Sequence, residues 1–134
     1  MAYERENKYA TKNKYRILIV DDDNDVTTTF NAGLPMYGFV VDSFNDPKES
    51  IQSFKADTYD LLILDIRMPI MNGFELYQEL EKIDNKPKVC FITAFSVYYE
   101  SLKEFLPTKK MHCFIKKPIE VRDLASQLRT ELDK

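Results

Sequence analysis

The feature that most restricts the fold is a series of short apolar runs, each ending at a charged or hydroxylated residue. Ile17 to Val20 runs into Asp21-Asp22-Asp23, and Leu61 to Leu64 runs into Asp65. Val89 to Ile92 precedes Thr93, and Cys113 to Ile115 precedes Lys116-Lys117. A strand that is apolar at consecutive rather than alternate positions is buried on both faces, as in a parallel sheet layered between helices. Strands are expected over 17–20, 39–44, 59–64, 88–93 and 112–115.

Helical patterns fill the intervals. Asp25 to Tyr37 places Val26, Phe30 and Leu34 four apart, while Gly33 and Pro35 predict an early end or a bend. Asp46-Pro47-Lys48-Glu49 combines a capping Asp, Pro at the first position and a Glu able to close a capping box, with Ile51 and Phe54 facing inward. Asn72-Gly73-Phe74-Glu75 opens another helix, along which Phe74, Tyr77, Leu80 and Ile83 keep helical spacing. Ser96 to Leu106 reads as a helix stopped by Pro107. After Pro118, Val121, Leu124, Ala125, Leu128 and Leu132 form one stripe. Alternating strands and helices make an α/β domain with a doubly wound parallel sheet, whose right-handed crossovers leave few windings.

Composition removes several function classes. With 134 residues the chain holds one domain, divided into a polar arm at 1–14 and a folded body at 15–134. Nineteen basic against 22 acidic residues, a net charge of −3, disfavour direct binding to nucleic acid. Apolar runs of four residues are too short for a membrane span, and the charged first six residues show no secretory signal, so the expected compartment is the cytoplasm. Cys90 and Cys113, both in strand-like stretches, are expected to be buried reduced thiols. One histidine, His112, excludes Ser–His–Asp or two-histidine metal chemistry within the chain and reads as a partly exposed loop residue.

In open parallel sheets the reactive groups gather beyond the carboxyl ends of the strands. Four of the five strand ends bring a polar residue there: Asp21-Asp22-Asp23, Asp65, Thr93 and Lys117. Clustered carboxylates repel and resist ionisation, a conflict that a hard divalent cation with oxygen ligands resolves; Mg²⁺ is the natural candidate. A lysine and a hydroxyl converging on one carboxylate suggest transfer of a phosphoryl group to it, giving an acyl phosphate.

The blocks Ile17 to Asp23, Leu62 to Gly73, Ile92-Thr93-Ala94 and Ile115-Lys116-Lys117-Pro118 together resemble the four signature blocks of response-regulator receiver domains, of the single-domain chemotaxis-Y-like type. The likeness covers the chain from about Tyr15 onward. It implies a flavodoxin-like (βα)5 fold with strand order 2-1-3-4-5. It also implies roles by position. Asp65 would be the phosphoacceptor. Asp21 and Asp22 would hold Mg²⁺ (or Mn²⁺), Asp22 directly and Asp21 through water, with Asp65 and the backbone carbonyl of Arg67 completing the set. Thr93 would bond a phosphoryl oxygen and shift inward, Lys117 would neutralise another, and Pro118 would be cis. Phe114 would be the aromatic switch following Thr93.

The implied protein is a two-component phosphoacceptor without an output domain in this chain, and not an enzyme beyond phosphorylation and dephosphorylation of its own Asp65. Its implied partners are a sensor histidine kinase or phosphotransfer protein, a downstream protein target, and a second copy in a phosphorylation-dependent homodimer. The signal would leave through the face built from 96–106, the last strand and the last helix. Arg67 and the Met111-His112 pair depart from the family's usual residues. Asp23 reads as a helix-start residue and Gly73 as one that permits a helix start.

Other readings are weaker. A calcium loop on Asp21-x-Asp23-x-Asp25 fails at Val26 and Ala32, where Gly and Glu would be needed. A haloacid-dehalogenase-like phosphatase would make Asp21 the nucleophile but leaves the Asp65 to Pro69 block unexplained. A receiver fold serving only as an interaction module would be expected to lose an acidic residue, and none is lost.

Overall fold

In the computed structural model, residues 14–94 and 113–134 are described. The expected arm at 1–14 (Lys14 apart), the helix expected at 96–106, and His112 lie outside them. Five strands form one parallel sheet in the order β2-β1-β3-β4-β5: β1 Tyr15–Val20, β2 Phe39–Phe44, β3 Leu61–Asp65, β4 Lys88–Thr93 and β5 Cys113–Lys116. The helices are α1 Asn24–Gly33, α2 Pro47–Ser53, α3 Gly73–Ile83 and α4 Val121–Leu132. The implied strand order is therefore observed.

The apolar runs behave as double-sided strands. Alternate residues of β1, β3 and β4 enter opposite cores, as the period of two requires. Ile17, Ile19, Ile63, Cys90 and Ile92 pack with Phe30, Leu34, Leu124 and Leu128 from the α1/α4 layer. Leu18, Val20, Leu62, Leu64 and Phe91 pack with Phe54, Leu76, Tyr77 and Leu80 from the α2/α3 layer. Burial of this kind contributes about 25 cal/mol per Å² of apolar surface removed from water, which anchors the strands whose ends carry the polar residues.

Several local expectations shift by a residue or two. α1 ends at Gly33, and Leu34–Tyr37 continues as a 3-10 turn, the early end that Gly33 and Pro35 predicted. β3 starts at Leu61, and Tyr59 before it stacks on Phe54 at 5.6 Å and donates to Asp42 at 2.7 Å. Asp46 accepts from the Lys48 backbone N–H at 2.9 Å, a turn bond in place of the expected box with Glu49. The Asn72–Glu75 box is present in both directions, at 2.9 and 3.0 Å. On α3, Leu76 takes an inward position and Ile83 is exposed.

The thiol expectation is overturned. Cys90 and Cys113 are register partners on β4 and β5, with Cα atoms 4.4 Å apart, and they form a disulfide. Neighbouring strands in register point paired residues to the same face, so two cysteines 23 apart in sequence meet in the α1/α4 layer.

The loop from β3 to α3 contains one strained position. Ile70 adopts φ 76° with its side chain 80% exposed. A β-branched residue in the left-handed region costs roughly 1–2 kcal/mol, and burial here returns almost nothing. Ile70→Gly is accordingly expected to raise the thermal unfolding midpoint by about 3–5 °C, allowing for the added freedom of the unfolded chain. Calorimetry of the two chains checks this; a lower midpoint would contradict it.

Candidate functional site

The polar strand ends meet at one edge of the sheet. Asp21 follows β1, and its backbone N–H donates to the Phe44 carbonyl at 3.1 Å, carrying the β1–β2 ladder one step further. Its side-chain Oδ1 accepts from the Asp23 N–H at 2.9 Å. Asp23 in turn caps α1 by accepting from the Asp25 N–H at 2.9 Å, which makes it a helix-start residue as expected. Asp65 ends β3, and the next N–H, of Ile66, donates to the Ile92 carbonyl at 2.9 Å. Thr93 ends β4, buried, and its carbonyl accepts from the Lys117 N–H at 2.8 Å. The Lys117–Pro118 peptide is cis, as the resemblance implied.

Charge is concentrated here out of water. Asp21 is fully buried and Asp65 is 4% exposed, while Asp22 is exposed. Carboxylate oxygens of Asp21, Asp22 and Asp65 all lie within 4.8 Å of one another. The Lys117 ammonium stands 2.7 Å from Asp21 Oδ2 and 3.6 Å from Asp65 Oδ2. Burial, reinforced by the neighbouring Asp21 charge, pushes the Asp65 carboxyl up to about 8 against the pull of Lys117. Burial works to lower the Lys117 ammonium, but its bond to Asp21 and the charges of Asp65, Asp21 and Asp23 outweigh that and raise it. One ammonium thus faces three carboxylates, an arrangement short of positive charge.

The donor set fits a hard divalent cation. Mg²⁺ takes oxygen ligands at about 2.0–2.1 Å, so oxygens on opposite sides of the ion stand roughly 4 Å apart, within the 4.8 Å that these three span. The site opens into a cleft of about 700 Å³ lined by Asp22, Asp65, Arg67, Met68, Phe74 and Lys117 among others. Asp21 lies beneath that lining. This argues against Asp21 as a nucleophile, since a group wholly buried and engaged by Lys117 and the Asp23 N–H offers no path for an incoming substrate. Phe114 is half-buried and stands 5.9 Å from Phe91, ring centroid to ring centroid.

Two supporting residues were not legible in advance. Asn45, just past β2, donates from Nδ2 to the Asp21 carbonyl at 2.8 Å and to Thr27 Oγ1 at 3.0 Å, so the fifth strand end also serves the site. Its position directly after a strand was the available signal. Gly73 has a stronger reason to be glycine than permitting a helix start. A Cβ there would lie 2.4 Å from the Asp65 carbonyl oxygen, because α3 begins directly against the strand that carries Asp65.

Comparison with known proteins agrees with this geometry. A family model described as the response regulator receiver domain matches residues 17–129. The transcriptional regulatory protein PrrA of Mycobacterium bovis is 37% identical over 81 residues, 60% of this chain and 35% of that protein. The response regulator receiver protein CpdR of Brucella abortus is 30% identical over 117 residues, 87% of this chain and 96% of that protein. The crystal structure of response regulator protein TrrA from Thermotoga maritima in complex with Mg²⁺-BeF superposes with a TM-score of 0.71 at 27% identity, covering 87% of this chain and 98% of that one. The chain belongs to the response regulator receiver domain family, the signal-receiving domain of two-component systems. Its sheet has the flavodoxin-like arrangement of CheY-like receivers. It spans only about a third of the length of the first curated relatives it matches. Among the described residues no helix is long and apolar enough to cross a membrane.

Two outcomes follow from the buried charges and the tight loop. A carboxyl whose pKa is raised on folding binds its proton more tightly in the native state. Stability is therefore lost as pH rises from the unfolded value near 4 towards about 8. Without Mg²⁺, the wild-type chain should lose stability relative to Asp65→Asn across that window, and millimolar Mg²⁺ should shrink the difference. Denaturant titrations at several pH values measure this, and parallel curves for the two chains would count against it. Separately, Gly73→Ala should destabilise by roughly 1–3 kcal/mol, since backbone rather than a mobile side chain must yield; urea unfolding reads the loss directly.

Proposed function

We propose that this receiver accepts a phosphoryl group on Asp65 from the phosphohistidine of a sensor kinase or phosphotransfer protein, and that the modified domain then engages a downstream protein. The observation carrying the reading is the convergence of Asp21, Asp22, Asp65 and Lys117 at the carboxyl edge of a parallel sheet, with Asp65 lining an open cleft. Asp21, Asp22 and Asp65, with the Arg67 backbone carbonyl, would hold Mg²⁺ or Mn²⁺. When bound, the cation would offset the negative charge of the incoming group and favour ionised Asp65.

The chain's own residues then have distinct tasks. Ionised Asp65 attacks phosphorus; the P–N bond of the donor breaks as the P–O bond to Asp65 forms, and the histidine leaves with its electron pair. Lys117, already 3.6 Å from Asp65 Oδ2, meets one phosphoryl oxygen. Thr93, at the end of the adjacent strand, offers its hydroxyl to another. Asp21, held by the Asp23 N–H and Lys117, supplies fixed negative charge beneath the metal position. The added charge at Asp65 draws Thr93 inward, and Phe114 on the neighbouring β5 follows, biasing the domain towards a second arrangement that partners bind better. A phosphorylation-dependent homodimer is one form such a partner could take. A cytoplasmic location suits this role.

Incubation with acetyl phosphate and Mg²⁺ followed by intact mass measurement tests the reading. One phosphoryl addition is expected, dependent on Mg²⁺ and abolished in Asp65→Asn. Addition that persists in Asp65→Asn would move the acceptor elsewhere and overturn the assignment.

A further inference from the structure

Among the described residues, strand β5 is an edge of the sheet and pairs with β4, through four register pairs. The first is Cys90 with Cys113, which carry the disulfide, and the last is Thr93 with Lys116. A covalent bond therefore closes one end of this short ladder while site residues stand at the other, three residues or roughly 10 Å away at the usual strand rise. Phe91 with Phe114 and Ile92 with Ile115 occupy the steps between. Lys117 continues directly from β5 and is tied back to β4 through the Thr93 carbonyl. Neither cysteine has a part in the phosphoryl chemistry.

We propose that the Cys90–Cys113 disulfide is a thiol-exchange site for a dithiol reductant, and that its redox state sets how firmly β5 is held to β4. The two sulfurs differ in access: Cys90 is fully buried, whereas Cys113, on the edge strand, is 8% exposed. A reductant thiolate attacks Cys113 Sγ, the S–S bond breaks, and Cys90 leaves as a thiolate that takes up a proton. The reductant's second thiolate then attacks its own sulfur in the mixed disulfide. Cys113 is released as a thiol and the reductant becomes an intramolecular disulfide, two electrons having passed to the cysteine pair. Cys90 sits among apolar side chains, where a thiolate is disfavoured and leaves slowly. The exchange is therefore slow, setting a lasting state of the strand rather than a rapid response. Once reduced, β5 keeps its backbone pairing with β4 and its packing against the core but loses the covalent tie. The backbone beneath Thr93 and Lys117 is then less restrained. The clamp stands apart from the assignment of Asp65.

The test compares the full chain after oxidised glutathione with the same chain after dithiothreitol. Iodoacetamide labelling after unfolding counts thiols, and hydrogen exchange read by mass spectrometry follows residues 113–117. The oxidised chain should take no label, and its β5 amides should exchange about tenfold or more slowly than those of the reduced chain. Its melting midpoint should lie on the order of 10 °C higher, since the bond closes a loop between residues 23 apart. The Cys90→Ala/Cys113→Ala double variant should be indifferent to dithiothreitol; if it fails to fold, the two states of the native chain still decide. Two labels on the oxidant-treated chain, or equal exchange of β5 in the two states, would overturn the proposal. Acetyl phosphate labelling of both states reports on Asp65 separately, so failure of one idea is distinguishable from failure of the other.

Discussion

Burying Asp21 and Asp65 beside each other is the constraint around which the rest is arranged. Two carboxylates out of water repel, and each loses hydration worth several kcal/mol. The fold answers with Lys117, which reaches both, and with the Asp23 N–H on Asp21. The answer is incomplete by charge, because Asp22 adds a third acid and the described cluster contains a single ammonium. That shortfall is the physical basis for a cation site. A fully compensated cluster would be more stable and would have no reason to take up a divalent ion.

Holding such a cluster in shape requires a rigid support, and the parallel sheet provides it. The strands carrying Asp21, Asp65 and Thr93 are buried on both faces, so a shift at their ends would disturb two cores at once. The connecting loops are tied to the same frame. Asn45 links the β2 end to the Asp21 carbonyl, and the Gly73 N–H donates to the Ile66 carbonyl at 3.0 Å. The Asn72–Glu75 box fixes where α3 begins. Close approach of α3 to Asp65 leaves room for no side chain at Gly73, which couples the helix start to the acceptor strand.

The opposite edge of this frame is built differently. Among the described residues β5 has no strand on its outer side, yet it delivers Lys117 to the cluster and Phe114 to the aromatic contact with Phe91. An edge strand is the part of a sheet most readily loosened. Placing the lysine there joins the firmest part of the site, Asp21 and Asp65 on the central strands, to its most adjustable part. The disulfide acts on that adjustable edge.

The sequence by itself determined the alternation of strands and helices, the parallel sheet, and the convergence of Asp21, Asp65, Thr93 and Lys117, because double-sided apolar runs and the polar residues that end them are local signals. Helix starts at Asp46 and Asn72 were legible for the same reason, capping being a matter of neighbouring residues. Tertiary structure alone decided which residues sit across from each other. Cys90 and Cys113 became a bonded pair through the register of β4 and β5, which no local pattern encodes. Likewise Asn45 became a support for Asp21, and Gly73 a point of contact with Asp65, through distances between segments far apart in the chain. Leu76 is buried on the inner face of α3 while Ile83 is exposed, a difference that helical spacing does not announce. Periodicity tells which side chains a strand or helix can offer to a core; only packing settles which of them meet, and how closely.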